Sequence, residues 1–222
     1  MSRADEIRER LASVEARIAA ACARAGRNRA DVRLVAVTKT FPASDVAHAI
    51  AAGASDVGEN KVQEARDKKP SVAGEARWHL IGHLQSNKAK DAVRLFDVIQ
   101  SVDSIALAEK LARAAESIGK RQEVLLQVNI GREPQKSGAA ISEVAELVRT
   151  ISGMTPLHLS GLMAIPPAGE AEEMRTYFRE LRALRDEHAL AELSMGMTDD
   201  FEVAIEEGAT IVRVGRAIFG SR

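Results

Sequence analysis

Residues 32–38 read VRLVAVT, a short run rich in β-branched side chains, and a lysine, Lys39, follows it directly. A run of this length and composition is typical of a buried strand in a parallel sheet. After it, Ser44 is positioned to cap a helix whose apolar side includes Val46 and Ile50. The stretch therefore predicts a strand, a loop carrying Lys39 and a returning helix.

Before this strand, apolar residues recur at steps of three and four, which predicts an amphipathic helix over residues 3–25. They are Ile7, Leu11, Val14, Ile18 and Cys22. Gly26 is placed to end this helix.

The alternation of strand and helix continues along the whole chain. Further strands are predicted at Asp56–Gly58, Arg77–Ile81, Asp97–Val102, Val124–Ile130, His158–Ala164, Glu192–Met195 and Thr210–Val214. Helices are predicted between them, at Lys61–Lys69, Asn87–Arg94, Ser104–Ile118, Ser142–Thr150, Ala171–His188 and Asp199–Glu207. With residues 32–38 these make about eight α/β units, which favour a closed (β/α)₈ TIM barrel. An open doubly wound sheet is the alternative.

Internal sequence similarity supports a repeated unit, because AIAAGASDV (49–57) resembles AIEEGATIV (204–212). The chain ends at Arg222, so no helix is expected after the last strand. We predict that the helix over residues 3–25 occupies the place of an eighth outer helix. Residues 1–222 are then a single domain, with no C-terminal β-domain.

Composition excludes several classes of protein. Of 222 residues, 45% are hydrophobic and 28% charged, which argues against long disorder. The 31 basic and 32 acidic residues give a net charge of -1, and aromatics make up only 3%. A nucleic-acid-binding groove is therefore not expected.

Sequence features also predict the compartment. The single cysteine, Cys22, excludes an internal disulfide and indicates a reducing environment. The N-terminus is charged from its third residue, unlike a signal peptide. Glycines and prolines interrupt the uncharged stretch 150–169, so no membrane helix is predicted there. The chain is expected to be cytoplasmic.

Lys39 is the most informative candidate for chemistry. In barrels of this type, function lies at the C-terminal ends of the strands. A lysine there is expected to be partly withdrawn from water, where a neutral amine can attack a carbonyl and form a Schiff base. The alternative is an ordinary solvated lysine at a strand end. Lys61 and Lys88 are weaker candidates, because Lys61 precedes a charge-rich, solvated helix face and Lys88 follows QSN at the start of a helix.

The loops after strands 7 and 8, SMGMTDD and VRVGR, are the usual phosphate-binding segments of such barrels. Gly196 and Gly215 allow backbone N–H groups to approach an anion, and Ser194, Thr198 and Arg216 add donors. Thr198 has an alternative role as the N-cap of the next helix. Asp199 and Asp200 would compete with a phosphate for the same amides. A strand-end lysine beside a phosphate site predicts a phosphorylated carbonyl ligand.

His79 and His83 do not predict a metal site. On a strand they share a face but lie about 13 Å apart at ~3.3 Å per residue, too far to share one ion. His79 is predicted to face the interior and Trp78 the helices.

Six segments carry a resemblance to a known family. They are VAVTKTFP, GENKVQEA, WHLIGHLQSNK, VNIGREPQKSG, LSGLMAIPP and LSMGMTDDFEVAIEEGATIVRVGRAIFG. In this order, from about residue 30 to 220, they resemble the pyridoxal phosphate homeostasis (YggS/PROSC) family. The resemblance implies a monomeric barrel, related to the N-terminal domain of alanine racemase, that holds pyridoxal 5′-phosphate (PLP).

The resemblance also implies residue roles. Lys39 forms the Schiff base with PLP, and Arg213 faces the pyridine nitrogen. Asn60 and His79 line the ring pocket. The phosphate is surrounded by Ser194, Thr198, Gly215 and Arg216. His83 is left outside this set.

The implied function is binding and delivery of PLP, with apo PLP enzymes as recipients. A guanidinium at the pyridine nitrogen keeps it unprotonated and makes PLP a poorer electron sink. The tyrosine that racemases draw from a second domain is not expected, because the only tyrosine, Tyr177, lies in a predicted helix. Two alternatives stay open: a PLP enzyme with weak racemase or deaminase activity, and a Schiff-base aldolase-like barrel acting on a sugar phosphate.

Overall fold

Eight parallel strands close into a barrel in the computed structural model, which describes residues 1–220. The strands follow chain order around the barrel, and β1 pairs with β8 to close it. They are β1 (Arg33–Val37), β2 (Asp56–Glu59), β3 (Arg77–Leu80), β4 (Val98–Val102), β5 (Gln122–Val128), β6 (Leu157–Ala164), β7 (Glu192–Ser194) and β8 (Ile211–Val214). The predicted (β/α)₈ barrel is confirmed, and the open-sheet alternative is wrong.

Helices cover the outside of the barrel. They are α1 (Arg3–Arg24), α2 (Ala43–Ala51), α3 (Val62–Lys68), α4 (Ala89–Leu95), α5 (Ile105–Glu116), α6 (Val144–Ser152), α7 (Ala171–Glu187), α8 (Phe201–Glu206) and α9 (Arg216–Phe219). Among residues 1–220, no helix is long and apolar enough to cross a lipid bilayer.

Most helix boundaries differ from the sequence-based expectation by one or two residues, and two of these differences lie next to loops that carry candidate site residues. The helix after β1 begins at Ala43 with Pro42 as its N-cap, so Ser44 lies inside it. The helix after β7 begins at Phe201, two residues later than predicted. There Asp200 accepts a hydrogen bond from the Met197 amide (2.6 Å), which holds the preceding residues in a turn.

The strands separate an interior layer from an outer core. Val35, Val98, Leu125, Met163 and Ile211 form a fully buried cluster inside the barrel. Trp78 packs in the core between barrel and helices, whereas its neighbour His79 points into the interior, as the period-two pattern of a strand predicts.

The N-terminal helix α1 packs against α2, α8 and α9. Its apolar stripe is buried, with Ile7 and Ile18 fully inaccessible to solvent. Arg17 adds a two-bond ion pair to Glu202 on α8, at 2.8 and 3.0 Å. The expectation that no helix follows β8 is wrong, because the four-residue α9 does so.

Candidate functional site

A cavity of about 920 Å³ opens at the C-terminal ends of the strands. Residues that follow β1, β2, β3, β7 and β8 contribute to its wall, together with the loop after β5. Candidate residues in the lining are Lys39, Asn60, Thr198, Arg213, Gly215 and Arg216. Six residues chosen from the sequence are thus brought together in one cavity.

Lys39 lies in a turn immediately after β1. Phe41 N–H donates to the Thr38 carbonyl (3.1 Å) to close this turn. Thr40 adopts a φ of +67°, an unfavourable value for a β-branched residue, and its amide donates to Glu64 (2.8 Å). The Lys39 side chain is exposed, so the expectation that it is withdrawn from water is wrong. The reason is that it stands on the turn beyond the strand rather than on the strand.

A buried carboxylate supports the Lys39 turn from behind. Glu59 accepts hydrogen bonds from the Thr38 hydroxyl (2.7 Å) and from Lys68 Nζ (2.6 Å), and Lys68 also donates to the Thr38 carbonyl (2.9 Å). Burial raises the pKa of Glu59, while the hydrogen bonds from Lys68 and Thr38 oppose that increase. Thr38 is therefore held at both its hydroxyl and its carbonyl, which fixes where Lys39 begins.

Arg213 places a buried cation in the cavity wall. Its side chain is on β8, and the residue is only 3% exposed. Nη1 donates to Ser194 Oγ (2.6 Å) and Nη2 to the Ala164 carbonyl (2.9 Å). Burial lowers the pKa of Arg213 to about 10, and the nearby Asp200 carboxylate opposes this decrease. The guanidinium is thus still a cation at neutral pH.

The turn after β7 is shaped by Asp200 rather than by Thr198. Asp200 occupies the N-cap position of α8, so the alternative role of Thr198 as an N-cap is wrong. Because Asp200 accepts from the Met197 amide, this amide is the one for which an anion would have to compete. Burial raises the pKa of Asp200, and the hydrogen bond from Met197 opposes the increase.

Arg216 and Asp199 bridge the two loops. Arg216 Nη2 donates to Asp199 Oδ2, and both side chains are largely exposed. An exposed pair of this kind contributes little to stability, so the guanidinium can exchange Asp199 for another anion at small cost. Arg216 also begins α9, whose first N–H groups have no acceptor within the helix.

Gly196 is needed for the shape of the turn after β7, and we predict that Gly196→Ala distorts it. Its φ is +87°, and an added Cβ would come within 2.5 Å of Ala204 Cβ and 2.9 Å of Phe201 Cα. The backbone strain alone costs about 1–3 kcal/mol. We expect a lower melting temperature and weaker binding of PLP or inorganic phosphate, measured by thermal unfolding and by titration.

Gly26→Ala is the matched control for this prediction. Gly26 also has a positive φ, +64°, but open space surrounds its Cβ position, and it lies at the end of α1. This control should lose stability while keeping wild-type phosphate affinity. Equal phosphate affinity in both variants would contradict the role given to the Gly196 turn.

His79 and Ser194 are not in the cavity lining, and their contact with a ligand stays a prediction. Both are fully buried in the barrel interior. Ser194 accepts the hydrogen bond from Arg213 and donates to Gln100 (2.6 Å). They therefore lie behind Arg213. Gln100, which is fully buried on β4, was not a candidate from the sequence.

Two residues left outside the predicted site do line the cavity. His83 reaches it from the segment after β3, with its ring nitrogen 3.8 Å from the Asp103 carboxylate. Lys136 reaches it from the loop after β5, donating to the Pro166 carbonyl (3.0 Å) and pairing with Glu133 (2.6 Å). The weaker candidates Lys61 and Lys88 are not in this lining.

The donor set of this cavity fits a phosphorylated aldehyde. Lys39 supplies an amine, Arg213 supplies a fixed guanidinium, and the loops after β7 and β8 supply the Thr198 hydroxyl and the Arg216 guanidinium. A cavity of this size is at the upper end of the range of about 300–1,000 Å³ seen for small-molecule sites. The residues present are therefore suited to holding PLP.

The sequence is also similar to those of known proteins. Residues 10–222 match the family described as alanine racemase, N-terminal domain. The chain is 43% identical over 220 residues to the pyridoxal phosphate homeostasis protein of Pseudomonas aeruginosa, covering 97% of this chain and 96% of the relative. It is 42% identical over 222 residues to the protein of the same name from Aquifex aeolicus, covering 96% and 97%.

Two solved structures resemble this chain in fold. PipY of Synechococcus elongatus, solved with PLP bound, is 40% identical with a TM-score of 0.84, covering 96% of this chain and 100% of that one. The alanine racemase of Streptomyces coelicolor is 21% identical with a TM-score of 0.70, covering 96% of this chain and 59% of that one. The likeness to the racemase concerns the fold alone.

Proposed function

Because the chain belongs both to the alanine racemase N-terminal domain family and to the pyridoxal phosphate homeostasis proteins, we propose that it holds PLP as a Schiff base on Lys39. Its role is PLP homeostasis: it buffers the cofactor and delivers it to apo PLP enzymes. One observation carries the proposal, namely that Lys39, Arg213 and the loops at Thr198 and Arg216 line a single cavity.

Each part of the cavity has a separate task in binding. When bound, PLP supplies an aldehyde that condenses reversibly with amines. Lys39 provides the amine, while Arg213 faces the pyridine nitrogen and keeps it unprotonated, since two adjacent cations repel. Thr198 and Arg216, with the amides beside Gly196 and Gly215, bind the phosphate. Asn60, half-buried after β2, lines the ring pocket.

The exposure of Lys39 suits a carrier better than an enzyme. An amine at the open side of the cavity can be reached by a second amine, so the bond to the cofactor can be exchanged. Racemase chemistry would require another acid or base opposite the lysine. Tyr177, the sequence's single tyrosine, packs on the hydrophobic core from α7 and is outside the cavity lining described for residues 1–220.

We place the protein in the cytoplasm as a monomer that meets its recipients by diffusion. Cys22, the single cysteine, is buried on α1, which is consistent with a reducing compartment.

Delivery is tested by mixing the PLP-loaded protein with an apo PLP enzyme and timing the return of that enzyme's activity. We expect the rate to rise with apo-enzyme concentration, because a recipient can approach the exposed Lys39. The control is the same total PLP without the carrier.

Transfer no faster than spontaneous release of PLP into buffer would contradict delivery by contact. The loaded protein is also assayed with single amino acids. Steady-state turnover of about 1 s⁻¹ or more, an ordinary enzymatic rate, would favour an enzyme instead.

A further inference from the structure

A continuous chain of hydrogen bonds crosses the barrel interior behind the cavity. It joins five side chains from five different strands. In order, Arg213 contacts Ser194 (2.6 Å), Ser194 contacts Gln100 (2.6 Å), Gln100 contacts His79 (2.9 Å) and His79 contacts Asp56 (2.8 Å). We call this set the relay.

The relay is almost completely buried. Ser194, Gln100 and His79 are fully inaccessible to solvent, Arg213 is 3% exposed and Asp56 is 5% exposed. Buried polar groups are costly unless every one finds a partner, and a fully paired network holds its members in one arrangement. A network of this kind therefore restricts the side-chain positions that its members can adopt.

The direction of every bond follows from Arg213. A guanidinium only donates, so Ser194 Oγ accepts from it and gives its own hydrogen to Gln100. The Gln100 atom facing Ser194 is then its oxygen, which turns its amide nitrogen toward His79.

The far half of the relay follows in the same way. Because the Gln100 amide donates to His79 Nδ1, that nitrogen carries no hydrogen, and His79 Nε2–H donates to the Asp56 carboxylate. The relay thus runs in one direction from a cation at the cavity to an anion at the opposite end of the barrel.

The far end of the relay is held by further contacts. Ser55 Oγ donates to the second Asp56 oxygen (2.7 Å), and Arg33 Nε lies 3.7 Å from the first. Burial alone would raise the pKa of Asp56, but the hydrogen bonds from His79 and Ser55 lower it below its usual value. Asp56 is therefore a stable anion and a fixed acceptor.

We propose that Gln100, His79 and Asp56 are positioning residues that set the orientation of Arg213 at the ligand-facing wall of the cavity. This rests on the proposed function, in which Arg213 faces the pyridine ring. The three residues lie outside the cavity lining and act only through Ser194.

The inference is tested with Gln100→Leu, which removes the central link while keeping the side chain close in size. The Ser194 hydroxyl then loses the acceptor that fixes its orientation, so of the two acceptors of Arg213 only the Ala164 carbonyl stays fixed. Loss of one buried hydrogen bond predicts about a tenfold rise in the PLP dissociation constant. We also expect a changed pH dependence of the visible absorbance of bound PLP.

Gln122→Leu is the matched control. Gln122 is equally buried, on β5, but it donates only to the backbone carbonyls of Asp97 and Glu123. It should change the melting temperature without changing PLP affinity. Equal PLP dissociation constants in the two leucine variants would overturn the proposal.

A second measurement needs no PLP and remains informative if Gln100→Leu fails to fold. The ¹⁵N chemical shifts of the His79 ring should show hydrogen on Nε2 alone. In Gln100→Glu, which retains the acceptor for Ser194 but presents a carboxylate to His79, both ring nitrogens should carry hydrogen. Hydrogen on Nδ1 in the wild-type protein would overturn the relay.

The two proposals fail in different ways. A wild-type protein that takes up no PLP would contradict the proposed function, while the His79 shifts would still test the relay. A wild-type protein that binds PLP but shows no difference between Gln100→Leu and Gln122→Leu would contradict the relay alone.

Discussion

A Lys39→Ala variant incubated with PLP and then treated with borohydride is expected to retain no covalently bound cofactor. Reduction fixes only a Schiff base, and alanine has no amine with which to form one. The phosphate-binding loops at Thr198 and Arg216 remain, so weak reversible binding should persist. Covalent incorporation is measured by intact-protein mass and by the visible absorbance that is bleached on reduction.

Lys136→Ala is the matched control, because Lys136 is the other lysine among the described residues that line the cavity. Its amine is already occupied by Glu133 and the Pro166 carbonyl. This variant should take up one PLP as the wild type does. Full incorporation of PLP into Lys39→Ala, or loss of incorporation in Lys136→Ala alone, would show that the Schiff base does not form on Lys39.

Deletion of residues 1–24 is expected to abolish folding. It removes α1 and exposes the faces of α2, α8 and α9 on which α1 packs. Truncating a single buried Leu or Ile to Ala typically costs 2–5 kcal/mol, and α1 buries several such side chains. Their sum is comparable with the total stability of an ordinary domain, about 5–15 kcal/mol. Circular dichroism and thermal unfolding of the truncated chain measure the effect.

Two point variants separate the stability lost with the buried contacts of α1 from any effect of shortening the chain. Ile18 is fully buried on the inner face of α1, so Ile18→Ala should lower stability by about 2–5 kcal/mol. Glu9 is exposed on the same helix, and Glu9→Ala should stay within about 0.5 kcal/mol of wild type. A truncated protein that unfolds at the wild-type temperature would show that α1 is dispensable.

Most of the barrel could be predicted from the sequence because its signals are local. The β-branched run at 32–38 and the apolar spacing of α1 report strand and helix directly. The start of α8 could not be predicted in this way. Thr198, Asp199 and Asp200 are all ordinary N-cap residues, and which one caps depends on the turn that Asp200 closes with the Met197 amide.

Part of the candidate site could be predicted from the sequence because its residues follow predicted strands. Lys39 and the loops at Gly196 and Gly215 follow strands, and strand ends meet at one end of a parallel barrel. The depth of His79 and Ser194 was not predictable, because the alternation of a strand gives the side a residue faces but not its height in the barrel. That height depends on strand stagger.

Gln100 is the clearest example of a residue whose role could not be predicted from the sequence. A single glutamine in the apolar strand VIQSV has no visible role until β3 and β7 supply its partners, His79 and Ser194. A buried amide with two interior partners is recognisable only in three dimensions. A polar residue at an inward-facing position of a barrel strand was the one signal that could have drawn attention to it.

The most direct measurement is peptide mapping of wild-type protein that has been loaded with PLP and reduced with borohydride. The proposed function predicts a phosphopyridoxyl group at a single position, on the peptide containing Lys39. Modification on Lys61, Lys88 or Lys136 in place of Lys39, or no modified peptide, would contradict it.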